Sequence, residues 1–173
     1  MKIYLTTTGW PLSWAIRKLT HFDASHCGIG DISRRLVLHA SLSGLHFSHL
    51  NRFMKKNRII HVFEFLPANG GHSRPVKKCY YELLELLETP YDYLNLLGFG
   101  WSLLLGYFGI KSKNKLGTAG KMQCSEALFV FLETCIRNGI INDILQGYNR
   151  EDFSPAHAFN IMSNHPEYFY MVS

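Results

Sequence analysis

An α+β fold, with a small antiparallel sheet packed against helices, is what the sequence predicts, and three observations predict it. Residues 1 to 66 read as short β-rich segments divided by turn signals. From Arg74 the apolar spacing shifts to a helical period. The stretch from Lys121 to Gly139 then reads as one helix with clear ends. Ala127, Leu128, Phe131, Leu132 and Cys135 recur on one broad apolar face, and Asn138-Gly139 supplies a left-handed stop. Glu133 and Arg137 stand four apart in the favourable order. A chain of 173 residues is long enough for one core and too short for two, so residues 1–173 are read as a single domain.

Taken in order, Met1 to Thr8 alternates as a first strand. Pro11 opens a helix over Leu12 to Leu19. Ala24 to Gly30 and Arg35 to Leu42 are the next two strands, with Asp31-Ile32-Ser33 in the turn between them. Leu45 to Leu50 is a short strand, Asn51 to Asn57 a basic connector, and Arg58 to Leu66 the strongest strand of the chain. Pro67 to Gly71 is a loop, and Pro75 opens a helix that runs to about Glu88, where Thr89-Pro90 stops it. The segment Leu94 to Ile110 carries no charge and four glycines. It reads as a buried helical hairpin or a lid over a substrate channel rather than as a membrane span. Lys111 to Lys121 is a polar loop, Ile140 to Gln146 a short helix, Ser154-Pro155 the cap of a helix to about Ser163, and Glu167 to Val172 a closing strand.

Hydrophobic residues make up 47% of the chain and charged ones 18%, which describes an ordered globular protein. The net charge of +5 gathers in local clusters, among them Arg52, Lys55, Lys56 and Arg58, yet no nucleic-acid motif accompanies it. No nucleic-acid partner is expected, and membrane contact is not favoured. Four cysteines without a CxxC pair indicate neither a disulfide framework nor a zinc finger. Free thiols and an N-terminus that does not read as a signal peptide lead to the expectation of a cytoplasmic protein.

Cys124 stands in the first turn of its helix, where unpaired backbone N–H groups and the positive end of the helix dipole favour thiolate over thiol. A cysteine nucleophile needs an imidazole to handle its proton and a third polar group to fix that imidazole's tautomer. If Ile32 and Ser33 are the two turn residues of the hairpin, Asp31 faces Arg34, Gly30 faces Arg35 and His26 faces His39. The two imidazoles then share a sheet face, opposite the core side taken by Leu36, Leu38, Ala40 and Leu42. A metal held by His26, Cys27 and His39 is disfavoured, because His26 and Cys27 are neighbours on a strand and point to opposite faces. No metal or cofactor is expected.

Several stretches resemble the circularly permuted NlpC-type papain-like hydrolases. Phe22 to Ile29 (FDASHCGI) is similar to the Ser-His strand of that family, Val37 to Ala40 to its following strand, and Gln123 to Leu128 (QCSEAL) to its Cys-Ser-Glu helix start. Gly44 to Leu66, Pro90 to Tyr93 and Ser154-Pro155 resemble further family segments in family order. The resemblance implies a permuted papain-like fold with Cys124 as nucleophile, His26 as general base and His39 as the third polar residue. Related permuted enzymes include cysteine amidases, peptidases and the lecithin retinol acyltransferase group. The implied activity is hydrolysis or acyl transfer on an amide or ester, through a thioester, with a small-molecule, peptide or lipid-like substrate. His39 replaces the carboxylate of the family pattern, and the long apolar stretch Leu94 to Ile110 would suit an apolar substrate. Two other expectations stand beside this one: a catalytically silent binding module, and a membrane-associated enzyme on lipid acyl groups.

Overall fold

Alternation of apolar and small residues along short segments is what a half-buried antiparallel sheet requires, and the computed structural model is built around such a sheet. It describes residues 1–31, 33–41, 43–66, 73–92, 98, 101, 105, 109 and 122–172. The elements run β1 (Lys2–Thr7), α1 (Pro11–Thr20), β2 (His26–Asp31), β3 (Leu36–Ser41), β4 (Gly44–His49) and α2 (Leu50–Lys56). They continue with β5 (Arg58–Phe65), α3 (Ser73–Glu82), α4 (Cys124–Arg137), α5 (Pro155–Asn164) and β6 (Phe169–Met171). All six strands join one antiparallel sheet in the order β4-β3-β2-β1-β5-β6. The class is α+β, as the sequence predicts.

The period of two along the strands divides the sheet's side chains between two faces. Ile3, Leu5, Cys27, Ile29, Leu38, Ala40, Phe63 and Phe65 belong to the main core. They share it with Leu128, Phe131, Leu132 and Cys135 of α4, which lies against β2 and β3. Tyr4, Val37 and Val62, at the intervening strand positions, form a smaller cluster with Phe53 of α2. Fully burying a side chain such as Phe131 or Leu128 contributes about 1.5–3 kcal/mol, so the α4 face is a principal source of stability.

Three sequence expectations are corrected. The basic connector Asn51 to Asn57 is mostly helix: α2 starts at Leu50, whose N–H donates to Arg35 O at 2.8 Å. Phe53 is its one buried side chain, and the Asn57 side chain closes it by donating to Phe53 O at 2.8 Å. The short helix expected at Ile140 to Gln146 is irregular chain. There Asp143 Oδ1 takes the Leu145 N–H at 3.1 Å, a local bond that competes with a helical one, while Ile141, Ile144 and Leu145 still enter the core. The helix from Pro75 ends its α-helical part at Glu82 and finishes as a 3₁₀ turn over Leu83–Leu86.

The fourth correction concerns the hairpin. Ile29 pairs with Leu38, Gly30 with Val37 and Asp31 with Leu36, so four residues rather than two make the loop. Arg35 takes a positive φ of 54° to close it, and Asp31 Oδ1 accepts from the Ser33 N–H at 3.0 Å. The shift is by two positions, and an even shift leaves every side chain on its expected face. The expectations for Leu94 to Ile110, for Lys111 to Lys121 and for the loop Pro67 to Gly71 lie largely or wholly outside the described residues. Among the described residues, no helix is long and apolar enough to cross a membrane.

Candidate active site

The start of α4 is fixed from both sides. Glu126 reaches back to accept the backbone N–H of Gln123, the reciprocal arm of a capping box, and is buried with its carboxylate 3.7 Å from Arg150. Ahead of the helix, Met122 forms a parallel bridge with Tyr91, its N–H donating to Pro90 O at 2.9 Å. Ser125 Oγ donates to Phe153 O at 2.6 Å, which ties the same turn to the segment before α5. Cys124, at the first position of α4, is thus held in place by two separate chain segments, Pro90-Tyr91 and Arg150 to Phe153.

Cys124 is 7% exposed and lines a small cavity with Ile16, Ser25, Tyr91, Ser125 and Phe153, among other described residues. Its sulfur is held where the N–H groups of Cys27 and Ser125 favour the thiolate, but burial outweighs them and pushes the thiol up to about 11. The expectation of a thiolate set by the helix start is therefore corrected: desolvation is the larger effect. The Cys27 N–H belongs to the peptide that joins His26 to Cys27, so the thiol meets β2 at its first residues.

His26 and His39 are brought together. His26 Nε2 lies 3.1 Å from His39 Nδ1, and the rings meet edge-on at 88°. With the observed register extended by one pair, His39 falls opposite Gly28 and diagonal to His26. Gly28 has no side chain to stand between them. Phe53 covers both rings, its centroid 5.0 Å from His39 and 6.2 Å from His26. Burial depresses both imidazoles, His26 to about 4 and His39 to about 2, and the neighbouring histidines and Lys56 add like-charge repulsion at His39. Both are therefore neutral at physiological pH.

The three expected residues are not all joined. His26 lies on the face of Tyr4 and Gly28, while Cys124 belongs to the core cluster on the face of Cys27. No hydrogen bond among the described residues links Cys124 to His26. Two groups of the site carry no readable sequence signal. Ser48 Oγ lies 2.9 Å from His39 Nε2. Thr7, Ser13 and Ser25 form a buried hydroxyl cluster beside Cys124, with 2.9 Å between the hydroxyls of Thr7 and Ser13 and 2.5 Å between those of Ser13 and Ser25.

Among the described residues, no group of three or more His, Cys, Asp or Glu side chains is arranged to hold a metal ion. The geometry offers a buried thiol at a helix start, backbone N–H donors around it, and a neutral imidazole pair at the adjoining strand end. No family model matches the chain, and no curated protein matches it in sequence.

Proposed function

We propose that the protein is a cysteine-dependent hydrolase or acyl transferase acting on an amide or ester, on a permuted papain-like fold. Cys124 is its nucleophile, His26 its general base and His39 the residue that orients His26. The observation that carries this reading is the placement of the Cys124 thiol against the His26–Cys27 peptide, with the His26 ring already oriented by His39. Because thiol and imidazoles are neutral at rest, the proton moves during attack rather than before it. His26 Nδ1 takes the thiol proton as the sulfur bonds to the carbonyl carbon. The carbonyl π electrons move to oxygen, where N–H groups at the helix start hold the charge. Collapse breaks the bond to the amine or alcohol, which leaves with the proton from His26. Water, or another acceptor deprotonated by His26, then releases the acyl group from the thioester. His26 and Cys124 stand on different faces of the sheet, so this reading requires the ring and the sulfur to meet around the start of β2 when substrate binds.

The test is direct. Incubation with a panel of p-nitrophenyl esters and acyl amides should produce a mass shift on Cys124 equal to the acyl group, lost in Cys124→Ser. A second reading, a silent binding module, is favoured by the elevated thiol and by the absence of a Cys124–His26 hydrogen bond among the described residues. It predicts that no acyl adduct forms with any ester, however reactive.

A further inference from the structure

The hydrogen-bond chain does not end at His39. His39 Nε2 lies 2.9 Å from Ser48 Oγ, and the chemistry above gives Ser48 no task. Each of three adjacent strands supplies one member: His26 from β2, His39 from β3 and Ser48 from β4. His39 pairs directly with His46, and Val37 with Ser48. Ser48 therefore approaches His39 on the diagonal from one side, as His26 does from the other.

A neutral imidazole has one N–H and one lone pair, so the chain has two self-consistent arrangements. In the first, His39 carries its proton on Nε2 and donates to Ser48 Oγ, while its Nδ1 accepts from His26 Nε2–H. His26 then keeps the lone pair on Nδ1, where a thiol proton can be received. In the second, His39 carries its proton on Nδ1 and donates to His26 Nε2. The His26 proton then sits on Nδ1, and that nitrogen can accept nothing.

We infer that Ser48 is a positioning residue whose hydroxyl accepts from His39 Nε2–H and holds the pair in the arrangement that leaves His26 Nδ1 able to take a proton. The inference rests on the reading of His26 as general base. Its physical ground is that His39 is 7% exposed: without the Ser48 oxygen the first arrangement would leave a buried N–H with no acceptor, whereas the second would leave only an unused lone pair, so the hydroxyl supports the first more than the second. His46 does not replace Ser48: its ring stands 4.5 Å from that of His39 and its Nδ1–H donates to Gly44 O at 2.9 Å, but no hydrogen bond among the described residues joins it to His39.

The experiment is ¹⁵N NMR of the full chain labelled at histidine, recorded at neutral pH, with the His39 ring assigned by its loss in His39→Asn. The wild type should show His39 protonated at Nε2. Ser48→Ala should move the balance toward Nδ1–H by about tenfold or more and lower kcat about tenfold with KM unchanged. Ser48→Thr, which keeps the hydroxyl, should restore both. A wild type with His39 protonated at Nδ1 overturns the inference without any variant. So does an unchanged His39 tautomer in Ser48→Ala. A protein that turns over no ester or amide, yet shows the Nε2–H form and its loss in Ser48→Ala, supports the role of Ser48 and counts against the enzyme reading alone.

Discussion

Gly28 lies directly beneath the ring of Phe53: a Cβ at position 28 would stand 3.0 Å from Phe53 Cζ and 2.7 Å from Val37 Cγ1. Neither neighbour has room to yield, since Val37 is 0% and Phe53 1% exposed. Phe53 also packs on Tyr4 and on both histidine rings, so α2 buttresses the imidazole pair through this one side chain. Gly28→Ala should therefore destabilise the fold by about 1–3 kcal/mol, the range for overpacking a filled site. Urea unfolding measures it, and a midpoint equal to that of the wild type would show that Phe53 can move aside at no cost.

How much of this was legible depends on parity. The hairpin pairing expected from the sequence is two positions out, yet His26 and His39 still share a face, because side-chain direction repeats every two residues. The helix α4 was legible from the apolar face that Ala127, Leu128, Phe131, Leu132 and Cys135 make, but its start at Cys124 rather than near Lys121 is set by the Gln123–Glu126 cap, which was not read. Helix α2 was not, because one buried residue, Phe53, gives no period to read. Ser48 was illegible for another reason: a lone serine on a strand has no signature until its partner's ring is placed. The chemistry of Cys124 was misjudged because position at a helix start is visible in sequence, while the depth of burial that outweighs it is not.

Stability should fall in mild acid, and His39 sets part of the slope. In the folded protein it stays neutral down to about pH 2, held there by burial first and then by the like charges of His26, His46 and Lys56. In the unfolded chain an imidazole takes its proton near 6.5. Between these values the unfolded state binds a proton that the folded state refuses, so lowering the pH favours unfolding. At pH 5 the cost is about 2 kcal/mol for this one group. His26, depressed to about 4, acts with the same sign. Urea midpoints measured from pH 7.5 to 5 should drop for the wild type and drop less for His39→Asn. Parallel profiles for the two proteins would mean that His39 is protonated in the folded state.

Thiol labelling should follow exposure and charge. Cys27 is 1% exposed, Cys79 and Cys135 are 0%, and the last two are hydrogen-bonded to each other. Only Cys124 should react with iodoacetamide in the folded protein. With its thiol pushed up to about 11, its rate should climb about tenfold per pH unit from neutrality toward pH 10, as the thiolate fraction does. A rate already at its plateau near pH 6 would show instead a thiolate–imidazolium pair at rest. Peptide mapping after timed quenching distinguishes the two.

The last prediction orders the histidines by what each does for the proton. His26→Ala removes the proposed base and should lower turnover of any productive acyl substrate by about 10²–10⁴-fold. His39→Ala leaves the base but removes the acceptor now 3.1 Å from His26 Nε2, so the ring loses its orientation and the loss should be smaller. His39→Asn keeps a carbonyl oxygen that can accept from His26 Nε2–H, and should retain more activity than the alanine variant. The pH profile sharpens the ordering. His39 takes no proton in mild acid, so the acid limb of the wild type should lie near the His26 value of about 4 and should persist in His39→Asn. An acid limb near 6.5 in the wild type that disappears in His39→Asn would assign the titrating group to His39 and reverse the roles proposed for the pair.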